Sequence, residues 1–294
     1  MKVAVAKYAI QAPADFAAFA DRQAQVLGEA VAQGARIAVL PEYLALELAA
    51  TFDAATQADL HASLLAIQRY RDDWLALYAR LAKELDLHIV AGSFLLAQGD
   101  GRYRNRSDVF TPQGVHAWQD KLQLTGFEKG LGVIDGGDAV KVFDLAGVRS
   151  GVSVCYDSEF PLPVRAQAEG GARLLLVPSC TDTEAGATRV RVGCLARALE
   201  NRLFVAQSVT AGEAPWSPAL DINTGEAAIF APMDRGLPAD GVVVQTVGDQ
   251  PWAIADLDLE ALERSRTDAQ VANDRDWAGQ LQPALVRARV ERLD

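Results

Sequence analysis

The chain of 294 residues is poor in positive charge, in cysteine and in histidine, and it has no long apolar run. With 28 Lys and Arg against 39 Asp and Glu, the formal net charge is −11. A nucleic-acid partner calls for a basic face that releases counterions on binding, so this balance removes nucleic acid from the expected partners. No window approaches the ~18 consecutive apolar residues that span a bilayer, so no membrane partner is expected either. The opening "MKVAVAKYAIQAP" is broken by Lys7 and followed by no small-residue cleavage site, and it reads as a strand rather than a signal peptide. Three cysteines, Cys155, Cys180 and Cys194, make no disulfide framework. An odd count without an export signal points to a reducing cytoplasm. Internal repeats, low-complexity tracts and linkers rich in Pro, Gly and Ser are missing, which leaves no boundary at which to divide the chain. Neither GxGxxG nor GxxxxGK(S/T) occurs, so no phosphate-binding loop is expected.

Half of the residues are apolar, enough for a sizeable core. After the opening strand, Phe16, Phe19, Ala20, Gln23, Leu27, Ala30 and Val31 recur at helical spacing, with Asp15 placed to cap the helix and Gly34 to stop it. "RIAVLPEY" is a short continuous apolar run, suited to a strand covered on both faces. Apolar residues then recur every three to four positions from about Gln57 to Leu85, which predicts a long helical region, and "LHIVAGSFLL" returns to strand. Runs on either side of Pro112-Gln113-Gly114 and of Ala146-Gly147 predict two hairpins. Further on, "ARLLLVPSC" reads as a buried strand and "TRVRVGCLARALEN" as a helix. "RLFVAQSVT", "EAAIFA", "GVVVQTV" and "WAIADLD" read as strands before a helical and then polar end. These are more strands than one doubly wound sheet uses, so the expected class is α/β with two sheets packed on one another and helices outside. One domain over residues 1–270 is expected, then a tail over 271–294 whose Trp277 is read as docking at a subunit interface.

Four apolar runs end on a charged or reactive residue: Glu42 after "IAVLP", Lys121 after "GVHAWQD", Cys155 after "GVSV" and Cys180 after "LLLVPS". In α/β sheets the ligand crevice lies beyond the carboxyl ends of the strands, so residues far apart in sequence converge there. Each alone has a bland alternative as a cap or a solvated group. The combination of an acid, a base and a thiol is the signal. A helix beginning just after Cys155 presents backbone N–H groups that favour a thiolate nucleophile. His61, His88 and His116 do not sit at such strand ends, which points away from a Cys-His pair. Glu42, enclosed beside a cation, takes that place as base for the thiol and later for water. Lys121, with a backbone N–H such as that of Tyr156, is then the oxyanion partner.

Glu42 in "LPEY", Lys121 in "QDKLQLTGFE" and Cys155 in "GVSVCYDSEFP" resemble the three signature segments of the nitrilase superfamily, the carbon-nitrogen hydrolases. The separations, 79 residues from Glu42 to Lys121 and 34 from Lys121 to Cys155, are also similar to that family's, and the resemblance runs from the first strand to about residue 260. It implies a four-layer α-β-β-α sandwich of two mixed sheets, paired through its helices into a homodimer or higher even-numbered homo-oligomer. It also implies hydrolysis of a non-peptide C–N bond in a small amide by a Glu-Lys-Cys triad, through a cysteine thioester with release of ammonia or an amine. No metal and no organic cofactor is implied. Glu128 in "GFEKG" fits a second glutamate of the family by position, one that orients Lys121 or the substrate amide. Nitrile hydrolysis and N-carbamoyl amine hydrolysis use the same three residues and stay open as alternatives, beside a catalytically idle scaffold or binding protein.

The chain departs from the family pattern just after "CYD", where Ser158 and Glu159 stand in place of an apolar residue and an arginine. Replacing a positive charge by a negative one there undercuts any expectation of a substrate carboxylate. Ser158, Glu159, Cys180 and Thr181 are the expected pocket residues. Cys180 reads more simply as packing than as a second catalyst, and Cys194, on its helix, as core. The substrate itself stays open.

Overall fold

The computed structural model of the chain describes residues 1–285 and 287–292. Its strands are β1 (Lys2–Ala9), β2 (Ile37–Val39), β3 (His88–Val90), β4 (Phe94–Ala97), β5 (Tyr103–Phe110), β6 (His116–Asp120), β7 (Ile134–Asp135), β8 (Val142–Leu145), β9 (Val148–Val152), β10 (Leu174–Ser179), β11 (Phe204–Glu213), β12 (Ile222–Asn223), β13 (Ala228–Phe230), β14 (Val242–Gln245) and β15 (Trp252–Asp256). Its α-helices are α1 (Phe16–Ala32), α2 (Ala54–Ala58), α3 (Leu60–Ile67), α4 (Arg71–Glu84), α5 (Gly126–Leu131), α6 (Pro161–Glu169), α7 (Glu184–Asn201), α8 (Leu259–Thr267) and α9 (Asn273–Asp276).

The fold is α/β with mixed strand directions, as expected. Strand β1 pairs parallel with β2 and antiparallel with β15 over its first residues. Its last three, Lys7, Tyr8 and Ala9, pair parallel with Val209, Thr210 and Ala211 of β11. The two expected sheets are therefore halves of one hydrogen-bonded network that changes partners along β1. One half continues through β2, β3 and β5, the other through β11, β10, β9 and β8.

Alternation along the strands sorts side chains into two cores. Val3 and Val5 of β1, with Ile37 and Val39 of β2, share one core with Leu174–Val177 of β10 and with Val205 and Ala206 of β11. Ala4, Ala6 and Tyr8, on the other face of β1, meet Phe19 and Leu27 of α1 and Trp74 and Tyr78 of α4 in the second core. All four residues Leu174–Val177 are fully buried, as a strand covered on both faces requires. Each such side chain contributes about 1.5–3 kcal/mol by leaving water.

Local chemistry accounts for the predicted elements and for one difference. Asp15 caps α1 by accepting from the Ala18 N–H at 2.8 Å. At Ala146-Gly147 both residues have positive φ, 50° and 81°, the mirror-image turn that two-residue hairpins use. The single helical region expected over 57–85 is instead broken twice. Asp59 accepts from the Ala62 N–H at 3.1 Å and starts α3 afresh. Gln68 leaves the helical pattern to donate to the Leu64 and Leu95 carbonyls, 2.8 Å each, which ties a 3₁₀ turn to β4. Apolar periodicity does not register either polar interruption. In the tail, Trp277 lies under the Arg165 guanidinium of α6 in the same chain, 4.9 Å from its ring centroid; positions 286, 293 and 294 of that segment lie outside the described residues. Among the described residues no helix is long and apolar enough to cross a membrane.

Candidate active site

Strand directions explain the convergence of the site. β1, β2 and β3 are mutually parallel, as are β9, β10, β11 and the end of β1. β6 is antiparallel to β5, which is antiparallel to β3, so β6 runs the same way as β2. The carboxyl ends of β2, β6, β9 and β10 thus share one side of the molecule. Glu42, Lys121, Cys155 and Cys180, which follow those ends, line one cavity of about 460 Å³.

At its floor Lys121 is 1% exposed, with its Nζ 2.8 Å from Glu42 Oε1 and 2.8 Å from Glu128 Oε2. The Asn105 amide of β5 donates to both carboxylates, 2.8 Å to Glu42 and 3.2 Å to Glu128. Glu128 also accepts from the Thr125 N–H at 2.9 Å in a capping box that starts α5, and from the Tyr43 hydroxyl. Burial works against the charge of Lys121, but Glu42 and Glu128 outweigh it and raise the ammonium above its usual range. Burial also opposes charge on Glu128, yet Lys121 and the Thr125 and Tyr43 donors hold its pKa below the ordinary carboxylate value. Glu42 goes the other way: burial lifts its pKa despite Lys121, and the negative charge of Glu128 adds to the rise.

Cys155 begins a 3₁₀ turn, Cys155–Glu159, after Ser153 and Val154 at the end of β9. Its φ of 49° is left-handed, as is the 61° of Tyr43 next to Glu42. Each such residue costs of order 1 kcal/mol or more, and side chains pinned this way cluster where function fixes direction. On the Tyr43 side the turn fits because Gly92 has no side chain; a Cβ there would stand 2.2 Å from the Pro41 carbonyl oxygen. The thiol is within hydrogen-bonding reach of Glu42, and its Sγ lies 3.5 Å from the Cys180 carbonyl oxygen. Burial and the charge of Glu42 push the Cys155 pKa well above the usual thiol value, against the pull of Lys121. These surroundings favour the protonated form.

Asp157, buried at 1% exposure, binds together the loops that carry Lys121 and Cys155. Its carboxylate accepts from the N–H groups of Leu122 and Gln123, beside Lys121, and of Val154, beside Cys155, at 2.6–3.2 Å. Neither Asp157 nor Asn105 is identifiable from periodicity, since one lies in a turn and the other sits mid-strand where any buried residue fits. The capping box of Thr125 and Glu128 was readable as T-x-x-E. Of the expected pocket residues, Glu159, Cys180 and Thr181 line the cavity with Tyr156, while Ser158 does not. The Ser158 hydroxyl turns inward and donates to the Cys155 carbonyl at 2.7 Å, because the 3₁₀ turn places it under Cys155. Burial pushes the Cys180 thiol up to about 12. The three histidines make contacts away from this cavity, with Leu131, Ala146 and Asp108. Among the described residues no group of three or more His, Cys, Asp or Glu is arranged to hold a metal ion. A larger cleft of about 880 Å³ lies at the ends of β1 and β11. Its cations are already engaged, Lys7 with Glu226 at 2.7 Å and Arg22 with the Tyr8 hydroxyl at 2.9 Å.

The carbon-nitrogen hydrolase family model matches residues 2–266. The probable hydrolase YhcX of Bacillus subtilis is 31% identical over 280 residues, which are 94% of this chain and 53% of that protein. The chain thus spans about half the length of this relative. The omega-amidase NIT2-A of Xenopus laevis is 25% identical over 268 residues, 87% of this chain and 88% of that protein. Among solved structures, Nit3 of Saccharomyces cerevisiae, a member of branch 10 of the nitrilase superfamily, superposes with a TM-score of 0.74 at 20% identity, covering 94% of this chain and 96% of that one. This last likeness is one of fold.

Proposed function

As the chain belongs to the carbon-nitrogen hydrolase family, we propose that it hydrolyses a small amide through a thioester on Cys155, with Glu42 as base and Lys121 as oxyanion partner. The observation that carries this reading is the convergence of thiol, carboxylate and ammonium on one cavity, with Glu42 within hydrogen-bonding reach of Cys155 and 2.8 Å from Lys121 Nζ. Family membership supports C–N bond hydrolysis, and the relative named as an omega-amidase supports amides over nitriles or N-carbamoyl amines.

Because Cys155 rests as a thiol, its proton must leave as the S–C bond forms, and Glu42, whose own pKa is raised, is suited to take it. The carbonyl oxygen then gains negative charge, which the Lys121 ammonium and the Tyr156 backbone N–H offset. Collapse of the tetrahedral adduct breaks the C–N bond, and the nitrogen leaves as ammonia or an amine with the proton held on Glu42. Glu42, a carboxylate again, removes a proton from water as the water oxygen adds to the thioester carbon. Cleavage of the C–S bond releases the acid, and Glu42 returns its proton to the sulfur. Glu128 stays anionic throughout as a fixed counter-charge that positions Lys121.

The test is ammonia release from matched amide, nitrile and N-carbamoyl substrates, with intact-mass detection of the acyl adduct. The parent protein is expected to prefer the amide and to gain the mass of the acyl group. Cys155→Ala is expected to lose hydrolysis by on the order of 10⁴-fold or more with its circular dichroism unchanged. A Cys155→Ala protein that still hydrolyses the amide overturns the mechanism.

A further inference from the structure

We propose that Glu159 is the specificity-determining residue of this site and that it selects substrates whose scissile amide is joined by a short chain to a protonated amine. This rests on the amide-hydrolysis reading above and names its substrate class. Glu159 ends the same 3₁₀ turn that Cys155 begins, so one rigid element carries both the nucleophile and this carboxylate into the cavity wall. Its carboxylate is half-buried, yet among the described residues it accepts no hydrogen bond and joins no ion pair; the charge of Arg189 reaches it without pairing. The other acids around the nucleophile differ: Glu42, Glu128 and Asp157 are each held by two or more donors. A carboxylate partly withdrawn from water with no hydrogen bond or ion pair is costly, and a cationic ligand is the partner that removes the cost.

The charges around it point the same way. Asp182 and Asp221 line the cavity with Glu159; of its two cations, Lys121 is held between Glu42 and Glu128, and Arg189 is exposed and forms no ion pair among the described residues. A substrate carboxylate would meet three acids there, whereas an ammonium meets three counter-charges and one opposed. A cavity of about 460 Å³ holds a small molecule that spans from Cys155 to Glu159. The net charge of −11 also favours the approach of a cation over an anion.

The experiment compares three amides of equal chain length ending in an ammonium, a methyl or a carboxylate. In the parent protein the ω-amino amide is expected to show a kcat/KM at least about 10-fold above the methyl amide, a ratio expected of one charged hydrogen bond. Glu159→Gln is expected to collapse that ratio to about one through a rise in KM rather than a fall in kcat, and Glu159→Lys to shift preference to the ω-carboxy amide. Affinity of the three amides for Cys155→Ala and Cys155→Ala/Glu159→Gln proteins, by calorimetry, reads the same discrimination without chemistry. Equal losses for all three amides in Glu159→Gln, or tighter binding of the methyl or carboxylate amide by Cys155→Ala, overturn the assignment. Selective binding of the ω-amino amide with no turnover by the parent protein overturns the hydrolysis reading and leaves this one standing.

Discussion

Glu42 and Glu47 stand five residues apart, both fully buried, and their partners give them opposite properties. Glu42 faces the Lys121 cation, whereas Glu47 accepts only from neutral donors at close range, the Tyr8 hydroxyl at 2.7 Å and the Gln11 N–H at 2.6 Å. Burial pushes the Glu47 carboxyl up from 4.5 to about 7, against those donors. Folding therefore favours its protonated form. Its stabilising contribution is complete below the unfolded value near 4.5, falls as pH rises to about 7, and is constant above. The loss across that window is roughly 3 kcal/mol for a shift of this size. Urea unfolding of the parent and of Glu47→Gln between pH 4.5 and 8 should give a stability difference that changes with pH by that amount in the variant's favour. A difference independent of pH would show that Glu47 titrates normally. Nothing in "LALELAAT" distinguishes this acid from a solvated one, because the groups that act on it, Tyr8, Gln11 and the Arg22 charge, come from β1, its outgoing loop and α1.

At the scale of elements, the turn that carries Cys155 is set by the helix beneath it. Gly193 of α7 has no Cβ, and one placed there would lie 2.9 Å from the Ser158 carbonyl oxygen and 3.3 Å from the Glu159 nitrogen. Arg197, one helical turn on, donates to that same Ser158 oxygen at 3.1 Å. Gly193→Ala must push the whole turn away from α7, moving Cys155 and the cavity wall together. Overpacking of this kind costs about 1–3 kcal/mol, while a displacement approaching 1 Å at the reacting atom costs on the order of 10²-fold in rate. The expected result is a kcat that falls far more than stability does, checked by parallel kinetics and thermal unfolding; unchanged kcat with a lowered Tm would mean the turn does not follow the helix. Periodicity identifies α1 and α7 and the two hairpins, since those depend on neighbours in sequence. The closeness of α7 to the Cys155 turn depends on Arg197 and Ser158, 39 positions apart.

Across the whole molecule, Arg202 ties the end of α7 to the closing segments of the chain. It is 1% exposed and pairs with Asp234 at 2.8 Å, while its guanidinium also donates to the Ser265 carbonyl in α8 and to the Val271 carbonyl at 3.3 Å. Asp234 in turn accepts from the Gln270 N–H at 3.2 Å. Removing the cation leaves a buried carboxylate uncompensated, a loss of about 3–5 kcal/mol. Arg202→Met should lower the unfolding free energy by that much and make the segment beyond residue 268 cleavable by trypsin while the rest of the chain resists. Tail cleavage no faster than in the parent would mean the tail is held without Arg202, by contacts such as Arg165–Trp277 and the Arg266–Asp274 ion pair at 3.0 Å.

The chain's own residue order determined the α/β class, the hairpins, the capped helices and the candidates Glu42, Lys121 and Cys155, because each candidate ends an apolar run and strand ends face one side of a sheet. Only the tertiary structure decided that Lys121 sits between two carboxylates, that Asp157 and Asn105 hold the loops, and that Ser158 turns inward while Glu159 faces the cavity. The physical reason is range. Propensity, capping and periodicity act between residues a few positions apart, whereas burial and charge pairing depend on which distant segments the strand network brings within about 4 Å.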